Sequence, residues 1–367
     1  MRVLLVGVST RAMAQSAVAA GYEVVSLDYF GDRDQPASAK VHALGRDFHL
    51  PLTHASLAKA TRQLAAGVDA VAFGSGVENE PALLEACDGV LVLGNMQKAI
   101  EGVRDLKKLG DVLQPTRVVI PETLFAGDRL PKKGRWLVKD LSHSGGFGVR
   151  EWDGKTILRH GQVLQRRLEG QLCSATFLAD GQQAVILGMT RQYAGVTELG
   201  TSGFAWCGNV APLLYPELEA MLAEAAKAMT RTFGLCGLNG IDFLFTEGTP
   251  ALLEVNPRYP GSVELLERVC EVNAFQLHVE ACRGHLPQLP PISGWRQAWG
   301  KGILYTREAL HVGDTSGWME QGIADVPHSG AEIPKGSPVC TLFASGNDLE
   351  DCWQNVLEKA GKLEKEF

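Results

Sequence analysis

Two groups of residues have types and spacings that could do chemistry. The first is Asp242 together with the run L-L-E-V-N-P-R, which supplies Glu254, Asn256 and Arg258. Alternation of two along a strand puts Glu254 and Asn256 on one face, and Arg258 continues that face or starts the next turn. Asp242 lies on the preceding strand and faces them across a hairpin. Two carboxylates and an amide oxygen are hard ligands, suited to a Mg²⁺ ion that keeps waters and bridges phosphates. A solvated acidic face, or acids that partner Arg258, is the competing reading. The neighbours Ile241, Phe243, Leu252, Leu253 and Val255 are apolar, where carboxylates are costly unless paired or metal-bound. This favours the metal.

The second group is Lys139 in V-K-D-L-S-H-S-G-G-F-G-V. A strand delivers the lysine, and a Ser/Gly-rich loop from Ser142 to Gly148 follows. Glycines let backbone N–H groups approach phosphate oxygens, and the lysine adds a point charge. The lysine precedes the glycines and no helix follows, so this is not a P-loop. An ordinary Gly-rich hairpin is the alternative. Lesser candidates are Arg191 and Gln192, which could face an acyl substrate, and His143, which could touch a phosphate. Trp295 and Trp299 read as packing residues.

These groups need elements to hold them. Residues 3–7, 23–28, 69–73 and 90–93 read as strands alternating with helices, a parallel α/β unit over 1–97. Ser9 is placed to cap the first helix. That turn reads G-V-S-T-R, so the dinucleotide fingerprint is absent although Asp28 closes the second strand. Helical sequence covers 96–113. Strands are expected at 135–141, 163–168, 172–179, 183–191, 203–210, 239–246 and 251–255, and helices at 217–233 and 263–283. Proline-rich 285–294 reads as a linker, and 295–367 as a mixed tail closing with a helix from Asp348.

The order of lysine, Gly-rich loop, V-L-Q-x-x-L-E-G, G-I-D-F and L-L-E-V-N-P-R resembles the ATP-grasp superfamily of carboxylate ligases. The resemblance covers roughly 98–285. Residues 1–97 are similar to the Rossmann-like α/β domain that precedes the grasp, and 286–367 resemble the C-terminal segment of predicted ATP-dependent carboligases related to biotin carboxylase. The fold implied is that α/β domain, an α+β ATP-grasp of two lobes with nucleotide between them, and a small mixed C-terminal segment. Lys139 is then implied to hold the α- and β-phosphates, and Ser144, Gly145, Gly146 and Gly148 to form a lid. Gln165, Arg166, Arg167 and Leu168 would be the hinge at adenine, with Gln165 where the family often has Glu. Gln171 stands where an acid commonly meets the ribose. A further lysine before the grasp is Lys107 or Lys108. Asp242, Glu254 and Asn256 would bind Mg²⁺, or Mn²⁺ in its place, and Arg258 would stabilise the transferring phosphoryl group.

The implied reaction joins a small-molecule carboxylate to an amine or thiol through an acyl phosphate, with release of ADP and phosphate. Alternatives are a biotin-carboxylase-like carboligase using bicarbonate, disfavoured by length and by the lack of M-K-M, and a non-catalytic ATP-binding regulatory subunit. A nicotinamide oxidoreductase is disfavoured by the first turn.

The net charge of −7 argues against a nucleic-acid binder. The eight scattered cysteines never form C-x-x-C and read as reduced thiols. The first apolar run is short for a signal peptide, and no stretch approaches the ~18 apolar residues of a membrane span. A cytoplasmic protein with no membrane partner is expected, and a homodimer is left open.

Overall fold

The computed structural model describes residues 1–289 and 297–366. Trp295 and part of the expected linker lie outside the described residues. The N-terminal sheet contains β1 (Arg2–Val6), β2 (Glu23–Asp28), β3 (Lys40–Ala43), β4 (Ala70–Phe73) and β5 (Leu91–Leu93), in the order β3-β2-β1-β4-β5. Every pairing is parallel. Val3, Leu4, Leu5 and Val6 are at most 1% exposed, as expected for a strand covered on both faces. Helices α1 (Arg11–Ala19), α2 (Leu44–Phe48), α3 (His54–Ala65) and α4 (Ala82–Glu85) connect these strands. The loops after β1, β2 and β4 leave the same, carboxyl edge of the sheet, where α/β folds place ligands.

Ser9 does not cap α1. Thr10 is the flanking residue and makes no side-chain cap. Asp28 takes the Thr10 N–H at 3.0 Å and its hydroxyl at 2.8 Å, while Ser9 donates to Asp325 at 3.3 Å. The stronger acceptors are carboxylates from distant parts of the chain.

Helices α5 (Gln97–Arg104) and α6 (Leu106–Leu113) divide the helical sequence expected over 96–113. Asp105 breaks it with extended backbone and caps α6 by accepting from the N–H groups of Lys107 and Lys108. A small antiparallel sheet follows: β6 (Thr123–Phe125), β7 (Trp136–Asp140), β8 (Val149–Glu151) and β9 (Gln162–Arg166), ordered β6-β9-β7-β8.

The large sheet starts with β10 (Gln171–Asp180), β11 (Ala184–Ala194) and β12 (Trp206–Ala211). Helix α7 (Pro216–Phe233) then crosses back to β13 (Cys236–Thr246) and β14 (Thr249–Asn256). Period-two alternation divides β10 cleanly. Cys173, Ala175, Phe177 and Ala179 pack with the α7 core, while Leu178 joins the core beneath α8 (Val263–Cys270) and α9 (Ala274–Cys282). The C-terminal residues extend this sheet through β15 (Ala298–Tyr305), β17 (Ile323–Ala324) and β19 (Pro338–Gly346), giving β14-β13-β10-β11-β12-β15-β19-β17. The short strands β16 (Leu310–His311) and β18 (Glu332–Ile333) pair separately, and α10 (Leu349–Leu363) is capped by Asp348. All eight cysteines are unpaired. Among the described residues no helix is long and apolar enough to cross a membrane.

One side chain ties the N-terminal sheet, the grasp and the C-terminal strands together. Arg11, 1% exposed, pairs with Glu264 of α8, with Asp325 at 3.0 Å and with Asp34 at 3.3 Å. Removing one side of a buried ion pair leaves uncompensated charge. Arg11→Met therefore lowers the unfolding free energy in urea by about 3–5 kcal/mol. A loss below about 1 kcal/mol, the range of a surface pair, would contradict this.

Candidate functional site

A cleft of 1570 Å³ runs between the N-terminal sheet, the small sheet and the large sheet. Strand β7 brings Lys139 to its wall, and β13 and β14 bring Asp242, Glu254 and Asn256. Asp242 pairs directly with Glu254, and the register shifts just beyond, between Asp242 and Phe243. As direct cross-strand partners the two carboxylates share a face of the sheet, and both line the cleft.

Hydrogen bonds link most of the polar wall into one chain. Asp242 accepts from the Gln192 amide at 2.7 Å and from the Asn256 amide at 2.8 Å. Asn256 in turn accepts from Arg258 Nη2 at 2.9 Å. Arg258 Nε donates to Glu78 Oε1 at 3.1 Å, and Glu78 Oε2 accepts from the Gly76 N–H at 2.9 Å. Ser144 of the Gly-rich loop donates to Glu78 at 3.4 Å and accepts from Asn79 at 2.9 Å. The Arg258–Glu78 pair is buried, with side-chain exposures of 10% and 1%.

Glu254 and Lys139 stand outside this chain. Neither has a hydrogen bond or ion pair among the described residues. Burial, reinforced by Asp242 and Glu78, pushes Glu254 up to about 7. Burial also pulls Lys139 down to about 8, against the attraction of Glu254 and Asp242. Burial raises Asp242 as well, whereas Glu78 is held low because the Arg258 pair and backbone N–H donors together outweigh its desolvation.

Among the described residues no three His, Cys, Asp or Glu side chains are grouped to hold a metal alone. Glu254, Asp242 and the Asn256 amide supply too few ligands for a protein-only cage. They fit a cation that draws its remaining ligands from phosphates and water. The unpartnered Glu254 lacks the positive charge such an ion would bring.

The Gly-rich loop is folded down over the cleft. Gly145 accepts from the Trp206 N–H at 2.9 Å. Gly146 has φ +80°, and a Cβ there would collide with the Phe204 carbonyl oxygen. Phe147 stays 57% exposed. Gly146→Ala is expected to disfavour this docked loop, raising the KM for the nucleotide expected from the sequence about tenfold with the urea midpoint unchanged. An unchanged KM would show that nucleotide binding does not need the docked loop.

The remaining sequence candidates separate. Gln165, Arg166, Arg167 and Leu168 line the cleft, as do Ser144, Gly145, Gly146, Gly148 and His143. Gln165 donates its amide N–H to Thr123 at 3.1 Å, which leaves its oxygen uncommitted. Gln171 is exposed at the start of β10, away from the lining. Lys108 pairs with Asp105 at 3.1 Å, and Lys107 lies 4.6 Å over the Phe125 ring. Neither lysine lines the cleft; Arg104 does, from the last turn of α5. Gln192 faces Asp242, while its neighbour Arg191 points to Glu350 at 3.3 Å. Trp299 packs under Arg268. The sequence reading missed Glu78, Asn79 and Arg104. The signal for Glu78 was its place in G-S-G-V-E-N, directly after a parallel strand.

Residues 103–262, which span Lys139, the loop, both carboxylates and Arg258, match the family described as ATP-grasp domain. The chain carries an ATP-grasp domain. Beyond the ATP-grasp segment, an uncharacterized protein of Methanocaldococcus jannaschii is 25% identical over 392 aligned positions, covering 100% of this chain and 93% of that protein. The L-amino acid ligase of Bacillus licheniformis has the same fold, with TM-score 0.70, 15% identity, and coverage of 98% of this chain and 97% of that one. The biotin carboxylase domain of 2-oxoglutarate carboxylase from Hydrogenobacter thermophilus, solved with MgADP and bicarbonate, superposes with TM-score 0.68 at 16% identity, covering 94% and 86%. The ATP-grasp fold therefore extends to an N-terminal parallel sheet and a large antiparallel sheet.

Proposed function

We propose that this protein is an ATP- and Mg²⁺-dependent ligase that joins a carboxylate to an amine through an acyl phosphate. One observation carries the reading: Glu254 and Lys139, opposite charges that attract each other but make no side-chain hydrogen bond or ion pair among the described residues, lie in the same cleft. Such groups are costly to bury unless a ligand satisfies them. A triphosphate would satisfy Lys139, and its cation would satisfy Glu254. The ATP-grasp match and the likeness to an L-amino acid ligase support the reaction class.

In this reading Lys139 and the N–H groups of the 144–148 loop hold the phosphates. Asp242, Glu254 and Asn256 hold Mg²⁺, which when bound neutralises phosphate charge. The N–H of Leu168 has no backbone partner beside the cleft and can donate to adenine. Arg104 provides the additional cation, in place of Lys107 or Lys108. The substrate carboxylate attacks the γ-phosphorus. A new oxygen–phosphorus bond forms, the bond to the β-phosphate oxygen breaks, and ADP leaves. The amine then attacks the acyl carbon and phosphate departs. Lys139 and Arg258 offset the charge that builds on the phosphoryl oxygens.

A screen of small carboxylic acids with hydroxylamine replacing the amine tests this. A hydroxamate formed together with ADP, for at least one acid, is the expected result. If bicarbonate alone supports ADP release, the carboligase reading replaces this one. ATP consumption with no hydroxamate from any acid would overturn it.

A further inference from the structure

The cleft has a second polar end beyond Arg258, separated from it by the short loop Tyr259–Ser262. Its wall includes Ser9, Arg11, Asp32, Glu264, Lys301 and Asp325. The positive charges there are already committed. Arg11 is shared by Asp34, Glu264 and Asp325, and Lys301 Nζ pairs with Glu264 at 2.9 Å. Arg46, at the rim, pairs with Asp47. Asp28 is fully engaged by Thr10, Phe30, Gly31 and Gln35, and Asp34 accepts from the backbone N–H groups of Asp325 and Val326.

Asp32 is the exception. It is 7% exposed, lines the cleft, and its carboxylate has no hydrogen-bond or ion-pair partner among the described residues, with Oδ2 buried and unsatisfied. Its surroundings hold Asp28, Asp34 and Asp325 against Arg11 alone. An unpaired buried acid in that company is expensive, and an anionic or apolar ligand would leave the cost in place. A ligand cation removes it.

We propose that one substrate carries an ammonium group, held at this end of the cleft by Asp32 and set apart from the reacting atoms. The inference rests on the ligase reading of the cleft, and it narrows the substrate class to amino acids, diamines and similar amine-bearing molecules. Burial and the neighbouring carboxylates hold the Asp32 carboxyl well above the usual carboxylate range. An ammonium supplies the charge that lets Asp32 ionise. The Arg11 pairs fix the surrounding carboxylates, so the pocket is formed before the ligand arrives.

Three probes of similar length separate the possibilities: putrescine, γ-aminobutyrate and succinate. Thermal unfolding and calorimetric titration of the full chain with Mg·ATP present provide the readouts. Putrescine and γ-aminobutyrate are expected to raise the melting temperature and succinate to leave it unchanged. Asp32→Asn is expected to weaken amine binding about tenfold or more. Asp32 makes no native hydrogen bond, so the ligand-free variant should melt no lower than the original. Succinate binding as well as the amines, amine binding indifferent to Asp32→Asn, or no amine binding while Mg·ATP binds would each overturn the proposal. If Asp32→Asn does not fold, the ranking of the three probes on the original protein decides alone. Failure of Mg·ATP to bind overturns the ligase reading instead, and Asp32-dependent amine binding would still stand.

Discussion

Glu254→Gln is expected to weaken Mg²⁺-dependent nucleotide binding strongly, with turnover falling by on the order of 10²–10³-fold. The amide keeps the shape and removes the one carboxylate beside Lys139 that makes no hydrogen bond or ion pair among the described residues. Asp242 cannot replace it, because it already belongs to the same cation set and each of its oxygens also accepts an amide N–H, from Gln192 and from Asn256. The same residue sets a pH dependence. Glu254 sits at about 7, so below that pH it must lose a proton before a cation can bind, and affinity falls about tenfold per pH unit. Lys139, at about 8, loses its charge above that pH and with it the hold on the phosphates. In the free enzyme, kcat/KM for Mg·ATP should therefore be greatest between about pH 7 and 8. Glu254→Gln should remove the acid limb and keep the alkaline one. A rise in affinity on acidification, or ATP affinity equal with EDTA and with Mg²⁺, would contradict the assignment.

Arg258→Lys is expected to keep ATP affinity within a few-fold and to lower turnover by on the order of 10²-fold. The guanidinium uses Nε for Glu78 and Nη2 for Asn256, so two edges of one planar group link the N-terminal loop to the metal-side amide. An ammonium has the charge without the fork, and Glu78 is too deeply buried to be left loosely paired. Steady-state kinetics with the acid found by the hydroxamate screen measures this. Turnover within about threefold of the original would show that Arg258 is structural.

The residues that meet in the cleft from β7, β13 and β14 were legible because their information is local. Residue type, strand alternation and apolar neighbours sufficed to group Asp242, Glu254 and Asn256, and the family resemblance joined Lys139 to them. Glu78 and Asp32 were not legible in that way. They sit on loops at the carboxyl edge of the parallel sheet, far from residue 254 in sequence, and only strand order brings them near. Helix periodicity also misled the reading of 96–113. It does not show that Asp105 prefers to cap a new helix, which turns Lys107 and Lys108 away and leaves Arg104 facing the cleft. The helices expected over 263–283 are parted in a similar way. Glu271 adopts φ +52° and Asn273 caps the second helix. The tail read as separate from the grasp because pairing of β15 with β12 is not visible from composition.

The central claim is that this cleft transfers the γ-phosphoryl group of ATP to a carboxylate. Phosphorus NMR of the products tests it directly, with the purified chain, Mg·ATP, an amine-bearing acid and hydroxylamine. The account predicts ADP and inorganic phosphate in equal amounts, formed on the order of 10²–10³-fold more slowly by Glu254→Gln. AMP and pyrophosphate would place the enzyme among adenylate-forming ligases and contradict it.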